Sequence, residues 1–132
     1  KYLKSKMKDV KIVGVDCEGS ILAHYHKTKE LIPAHSYVLE GIGEDYIPPL
    51  LDLKIITHAY AISDKEAIDT CHLILKKEGV LAGSSSGTLI SAAIKYCKEQ
   101  NRPKNVVTLV CDTGNKYLKI YDKNWLVENK YN

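Results

Sequence analysis

An α/β fold, with a parallel sheet covered by helices, is what this sequence predicts, and three observations carry the prediction. Short β-branched runs alternate with amphipathic stretches of helix length. The run Lys11-Ile-Val-Gly-Val-Asp16 is apolar until its closing acid, which suits a strand buried on both faces. Segments rich in glycine or small hydroxyl residues (40–45, 83–87 and 112–115) fall between these elements, where strands would run into helices.

Taken in order, Tyr2 to Met7 predicts the end of a helix with Tyr2, Leu3 and Met7 on its apolar side. The strand at 11–16 follows. Residues 17–36 have no clear period and hold His24, His26 and His35, which predicts a loop with room for a short helix. Glu40-Gly-Ile-Gly-Glu-Asp-Tyr-Ile-Pro-Pro49 is a glycine-rich turn closed by a proline pair, and 55–62 predicts a second strand. Ser63-Asp-Lys-Glu66 has the form of a capping box, in which the serine hydroxyl accepts from an early helix amide while the glutamate reaches back. The helix it opens places Ala67, Ile68, Cys71, Ile74 and Leu75 inward and ends at Gly79, the position where a left-handed residue closes a helix.

Val80 to Ala82 is a short apolar piece entering the loop Gly83-Ser-Ser-Ser-Gly87. A helix over 88–99 then turns Leu89, Ile90, Ala93, Ile94 and Cys97 inward. Pro103 separates it from Asn105-Val-Val-Thr-Leu-Val-Cys111, the strongest strand signal in the chain. Asp112-Thr-Gly-Asn115 turns away, and a short amphipathic tail with Trp125 completes the sequence. No repeat, low-complexity tract or linker interrupts it, and 132 residues suffice for one domain with a core.

Composition narrows the function. Hydrophobic residues make up 45% and charged ones 27%, with a formal charge of +3, which is ordinary globular composition. The local excess of Lys1, Lys4, Lys6, Lys8 and Lys11 reads as a solvated face, since no arginine or aromatic platform accompanies it; no nucleic-acid partner is expected. No window approaches the ~20 apolar residues of a membrane helix, and the first residues lack a secretion signal's apolar stretch, so the expectation is a cytoplasmic protein with no membrane partner. The four cysteines (Cys17, Cys71, Cys97, Cys111) lack the clustered spacing of a zinc site and read as free thiols of a reducing compartment.

The glycine and serine loops suggest a polar small-molecule site, because glycine permits close backbone approach and serines offer short donors. Gly83-Ser-Ser-Ser-Gly87 opening a helix fits a phosphate held by amides and helix dipole, and equally a tight turn with a serine cap. The same string matches the nucleophile elbow of serine hydrolases. That reading fails, because no histidine follows His72 to complete the Ser…Asp…His order. His24 and His26 lack a third ligand for a metal, so no metal site is predicted.

Four motifs in order give the loops a common context. Ile12-Val-Gly-Val-Asp-Cys-Glu-Gly-Ser-Ile-Leu22, Glu40-Gly-Ile-Gly-Glu-Asp-Tyr-Ile-Pro48 with Leu51-Asp52 after it, Glu78-Gly-Val-Leu-Ala-Gly-Ser-Ser-Ser-Gly87 and Val106-Val-Thr-Leu-Val-Cys-Asp-Thr-Gly-Asn-Lys-Tyr-Leu118 resemble successive segments of the cystathionine β-synthase/cysteine synthase family. The resemblance spans about residues 1 to 126. It departs from the family at Cys111, where a proline is common, and after Tyr117-Leu118, where the tail is one residue short.

This resemblance implies a three-layer, Rossmann-like parallel-sheet domain of fold type II, of which residues 1–132 form the C-terminal part of the large, cofactor-side domain. It implies pyridoxal 5'-phosphate (PLP) as cofactor and β-replacement on small-molecule amino-acid and thiol substrates in a homodimer. Thr113 matches the hydroxyl residue that bonds the pyridine nitrogen. A neutral hydroxyl does not hold that nitrogen protonated, which favours β-elimination and replacement over transamination; a turn-stabilising threonine is the plainer alternative. Gly41 and Gly43 match the loop passing close to amino acid and cofactor, and Ser84, Ser85 and Ser86 the loop near the pyridine ring.

The family's Schiff-base lysine, substrate-carboxylate loop and phosphate loop all precede the segment matching Tyr2. No catalytic residue is therefore assigned in this chain, and the sequence is expected to continue upstream. The wording of the EGSIL and EGIGEDYIP segments leans toward cystathionine formation from serine or O-acetylserine and homocysteine, with cysteine synthesis from O-acetylserine and sulfide as the alternative. Standing alone, the 132 residues are expected to be an inactive binding or structural fragment of weak stability, with unpaired strand edges and exposed apolar faces.

Overall fold

The structure, a computed structural model, describes all of residues 1–132. A short α1 (Tyr2–Lys6) leads to β1 (Val13–Cys17) and α2 (Leu22–Thr28); β2 (His58–Ile62) runs into the two long helices α3 (Asp64–Glu78) and α4 (Ser84–Lys98). Single 3-10 turns at Gly114–Lys116 and Leu118–Tyr121 precede α5 (Lys123–Glu128). β1 and β2 pair in parallel, in register from Val13 opposite His58 to Cys17 opposite Ile62. Burial deepens toward their carboxyl ends, where Cys17 and Ile62 are fully enclosed with Leu39, Ala67 and Ala92. A second cluster of Ile68, Cys71 and Ile120 lies beneath Val38, Tyr117, Tyr121, Trp125, Leu126 and Tyr131.

The capping box forms as the sequence predicts. The Ser63 hydroxyl accepts from the Glu66 amide at 3.3 Å, and the Glu66 carboxylate accepts from the Ser63 amide at 3.1 Å. Gly79 closes α3 at φ +68°, donating its amide to the Leu75 carbonyl. Ala67, Ile68, Cys71 and Ile74 are buried as expected, but Leu75 points outward and Thr70 takes its place inside.

Three expectations are corrected. The sheet has two strands, because residues 105–111 have no neighbouring strand to bond. A strand is defined by its partner, and the β-branched run alone does not supply one. Second, α4 begins at Ser84, so the three serines form its first turn and not a loop before it. Third, its inward face is the small polar one: Ser84, Ser85, Ser86, Gly87, Thr88, Ser91 and Ala92 are buried, whereas Leu89, Ile90, Ala93 and Ile94 are half-buried and Cys97 is exposed. Gly87 explains the reversal. A Cβ there would sit inside the contact radii of the Ala67 carbonyl oxygen and the Cys71 sulfur, so α3 and α4 approach through a face that larger residues would hold apart.

Candidate functional site

The three small-residue segments meet at the start of α4. Ser84 Oγ accepts from the Glu40 amide at 3.1 Å, which fastens the glycine loop 40–43 to the helix. Ser86 Oγ accepts from the Cys111 amide at 2.9 Å, which fastens the end of segment 105–111. Backbone bonds from Gly83 N to Asp112 O (3.1 Å) and from Gly114 N to Leu81 O (2.9 Å) complete the junction. A Cβ at Gly83 would collide with the Asp112 carboxylate, so glycine is required for that closure. Ser85 is buried between its neighbours at 8% exposure.

Thr113 is exposed beside this junction and pairs with Ala82 across an isolated antiparallel bridge. Its hydroxyl accepts from the Asn115 amide at 3.4 Å, the turn-stabilising role that its position allows. That bond uses a lone pair of the oxygen and leaves the hydroxyl proton available to an acceptor such as a ring nitrogen. Gly41, at φ +74°, has nothing within 4 Å of where a Cβ would stand, so its backbone is open to a ligand. Gly43, at φ +85°, is the opposite case: a Cβ would meet Cys17 Sγ and, at 2.7 Å, the Tyr37 hydroxyl. Gly43 thus shapes the loop against the core, while Gly41 faces outward.

Residues that the sequence reading did not assign also converge here. Lys119 Nζ lies 2.7 Å from Glu40 Oε1. Asp112 Oδ1 is buried without a hydrogen-bond partner, and the neighbouring Asp112 carboxylate raises the Tyr117 hydroxyl pKa. Glu40 and Asp112 lie inside the quoted motifs, but nothing in a motif shows which oxygen lacks a partner. No group of three or more His, Cys, Asp or Glu side chains is placed to hold a metal.

All four cysteines are free, two buried and two exposed. Burial pushes the Cys17 thiol up to about 11, with Asp16 adding to the effect, and burial likewise pushes Cys71 up to about 11. Both buried thiols are therefore neutral when folded, against 9.0 for an ordinary cysteine. Their contribution to stability is complete below pH ~9 and is lost as pH rises through about 11. At pH 8 a disulfide reagent should label Cys97 and Cys111 within minutes, and Cys17 and Cys71 only once denaturant is added. Mass spectrometry of the labelled peptides checks this; early labelling of Cys17 would show that the core beneath Gly43 is open.

Residues 1–112 match the family described as pyridoxal-phosphate dependent enzymes. The chain is 37% identical over 133 residues to a cystathionine β-synthase of Saccharomyces cerevisiae, which covers 98% of this chain and 26% of that protein. It is 36% identical over 137 residues to a cysteine synthase of Buchnera aphidicola, covering 99% of this chain and 42% of that protein. Among solved structures, an O-acetylserine-dependent cystathionine β-synthase of Helicobacter pylori superposes with a TM-score of 0.76 at 34% identity, over 89% of this chain and 36% of that one. The chain thus spans between about a quarter and two-fifths of these relatives. With a family match over most of its length and a fold type II enzyme overlaying its small parallel sheet, the chain belongs to the pyridoxal-phosphate dependent enzyme family.

Proposed function

We propose that this chain is the cofactor-side part of a PLP-dependent β-synthase that joins serine or O-acetylserine to homocysteine, giving cystathionine. The observation that carries the reading is the junction at the head of α4, where the open Gly41 backbone, the buried serine turn and the free Thr113 hydroxyl proton are tied together. These residues fit the cofactor. Thr113 would hold the pyridine nitrogen by donating its proton, and Ser84 and Ser86 would keep the wall of the pocket in place from behind. PLP, when bound, supplies the electron sink that lets a β-substituent leave an amino acid. Around it, Gly41 would leave room for the amino acid, and Asp112 and Tyr117, packed beside Gly83, would border the site.

Support for cystathionine over cysteine comes from the EGSIL and EGIGEDYIP wording and from the likeness to the cystathionine β-synthases of yeast and Helicobacter. Cysteine synthesis from O-acetylserine and sulfide is the second reading, favoured by the nearly equal identity to the Buchnera enzyme. The Schiff-base lysine lies outside residues 1–132 on this reading, and the chain by itself is inactive. We also infer a cytoplasmic homodimer, as four free thiols suit a reducing compartment.

The deciding experiment uses the full-length protein loaded with PLP. Serine and O-acetylserine are each offered with homocysteine and with sulfide, and the product amino acids are quantified. A kcat/KM at least tenfold higher with homocysteine is expected. Preference for sulfide would replace the first reading by the second, and no turnover with any pair would overturn both.

A further inference from the structure

The glycine loop needs fastening from outside, since two left-handed glycines do little to hold their own backbone in one conformation. On the far side Ser20 provides it: its hydroxyl donates to the Glu44 carbonyl and accepts from the Glu44 amide, each at 3.0 Å. On the near side two ties arrive from the end of the chain. The Lys119–Glu40 pair is short, but its side chains are 45% and 50% exposed, so screening by solvent leaves it weak.

The second tie is better enclosed. The Asp64 carboxylate, at the first position of α3, accepts the Val38 amide on both oxygens (3.2 and 3.1 Å) and the Tyr131 hydroxyl on Oδ2 (3.0 Å). A carboxylate at a helix N-terminus is favoured by the helix dipole and accepts several bonds at once. Tyr131 is itself held, stacked on Trp125 at 5.6 Å between centroids with its amide donated to the Leu126 carbonyl at 2.8 Å. Desolvation first, and then the bond to Asp64, raise the Tyr131 pKa, so its hydroxyl stays a donor. Val38 packs into the same aromatic cluster. From Val38 only buried Leu39 and Glu40, bonded to Ser84, separate this anchor from Gly41.

We propose that Asp64 and Tyr131 are positioning residues: segment 122–131 acts as a strap that pins the entrance of the glycine loop to α3 and so holds the loop ready for an amino acid. The identity of the ligand rests on the proposed function, whereas the strap rests on these contacts alone.

Hydrogen–deuterium exchange on the full-length, PLP-loaded protein tests it. Tyr131→Phe keeps the ring stacked and deletes only the hydroxyl; Asp64→Asn removes the charge. Both should speed exchange in peptides covering residues 38–42 at least fivefold while α3 and α4 stay within twofold of the parent. Lys119→Ala should have a smaller effect. In parallel, the amino-acid KM should rise at least threefold in Tyr131→Phe, with kcat changed less than twofold. Unchanged loop exchange in both variants would overturn the proposal, and so would a uniform rise across the helices, which marks a merely structural role. Faster loop exchange in a protein that binds no amino acid would support the strap and count against the enzyme reading.

Discussion

Gly87→Ala is expected to destabilise the protein by about 2 kcal/mol, although alanine is the better helix former. Two effects of opposite sign meet at this position. In the interior of a helix, replacing glycine by alanine stabilises by about 1 kcal/mol. Against that, the new methyl group would overlap the Ala67 carbonyl oxygen and the Cys71 sulfur across the α3–α4 contact. Overpacking a close contact costs about 1–3 kcal/mol and more where backbone must move. Here one obstacle is a backbone carbonyl, which cannot rotate away as a flexible side chain does. The upper part of that range applies, and the overlap outweighs the propensity gain.

Urea unfolding of the variant against the parent measures the balance. Cys71→Ala in the same protein should recover only part of the loss, since it removes the sulfur and leaves the Ala67 carbonyl in place. A Gly87→Ala variant as stable as the parent would mean that the helices do not approach as closely as described. The larger Gly87→Val should be worse still, adding a β-branched side chain to the same overlap.

The close α3–α4 contact also shows where sequence reading stops. Helix limits that depend on neighbours in the chain were legible: the Ser63–Glu66 box and Gly79 are local chemistry, and both form as written. The face that α4 buries was not legible, because hydrophobic periodicity points to Leu89, Ile90 and Ile94, while the buried face follows from how near another helix can come. Gly87 was the signal, and it reads as a packing residue only once α3 is opposite. The serines failed for a related reason. The glycine- and serine-rich run read as a loop, yet Ser84 and Ser86 sit in the first turn, where their hydroxyls also serve the Glu40 and Cys111 amides.

The site divided along the same line. That segments 40–45, 83–87 and 112–115 would gather was readable from the rule that α/β sheets place ligands beyond strand ends. The ties between them were not, because Glu40 with Lys119 is separated by 79 residues and Asp64 with Tyr131 by 67. No sequence period spans such distances. Likewise the buried, partnerless oxygen of Asp112 beside Gly83 is a fact of packing.

The largest misreading, the strand at 105–111, leads to the second prediction. Produced by itself, the 132-residue chain should associate at micromolar concentration and bind a hydrophobic dye strongly. Val107 is 90% exposed, Leu109 66% and Val110 54%, on a backbone whose amides and carbonyls have no strand partner beside them. Such a segment combines β-branched residues with open hydrogen-bonding groups, the conditions under which edges pair with other chains. Only the Cys111 amide is taken up, by Ser86.

Charge placed on the segment separates association from folding. Val107→Lys with Leu109→Glu should abolish association of the isolated chain, seen by light scattering, and leave its helical circular dichroism unchanged. Both side chains are exposed there, so the substitutions remove no packing. In the full-length protein the sign should reverse. If the remaining polypeptide pairs with 105–111 as a central strand, the same two charges would be buried, and that protein should lose several kcal/mol of stability or fail to fold. Equal tolerance in both would mean that the segment is a surface strand in the complete protein too. The opposite behaviours of one double variant thus report directly on whether the exposed run is the seam along which this α/β unit joins the rest of its fold.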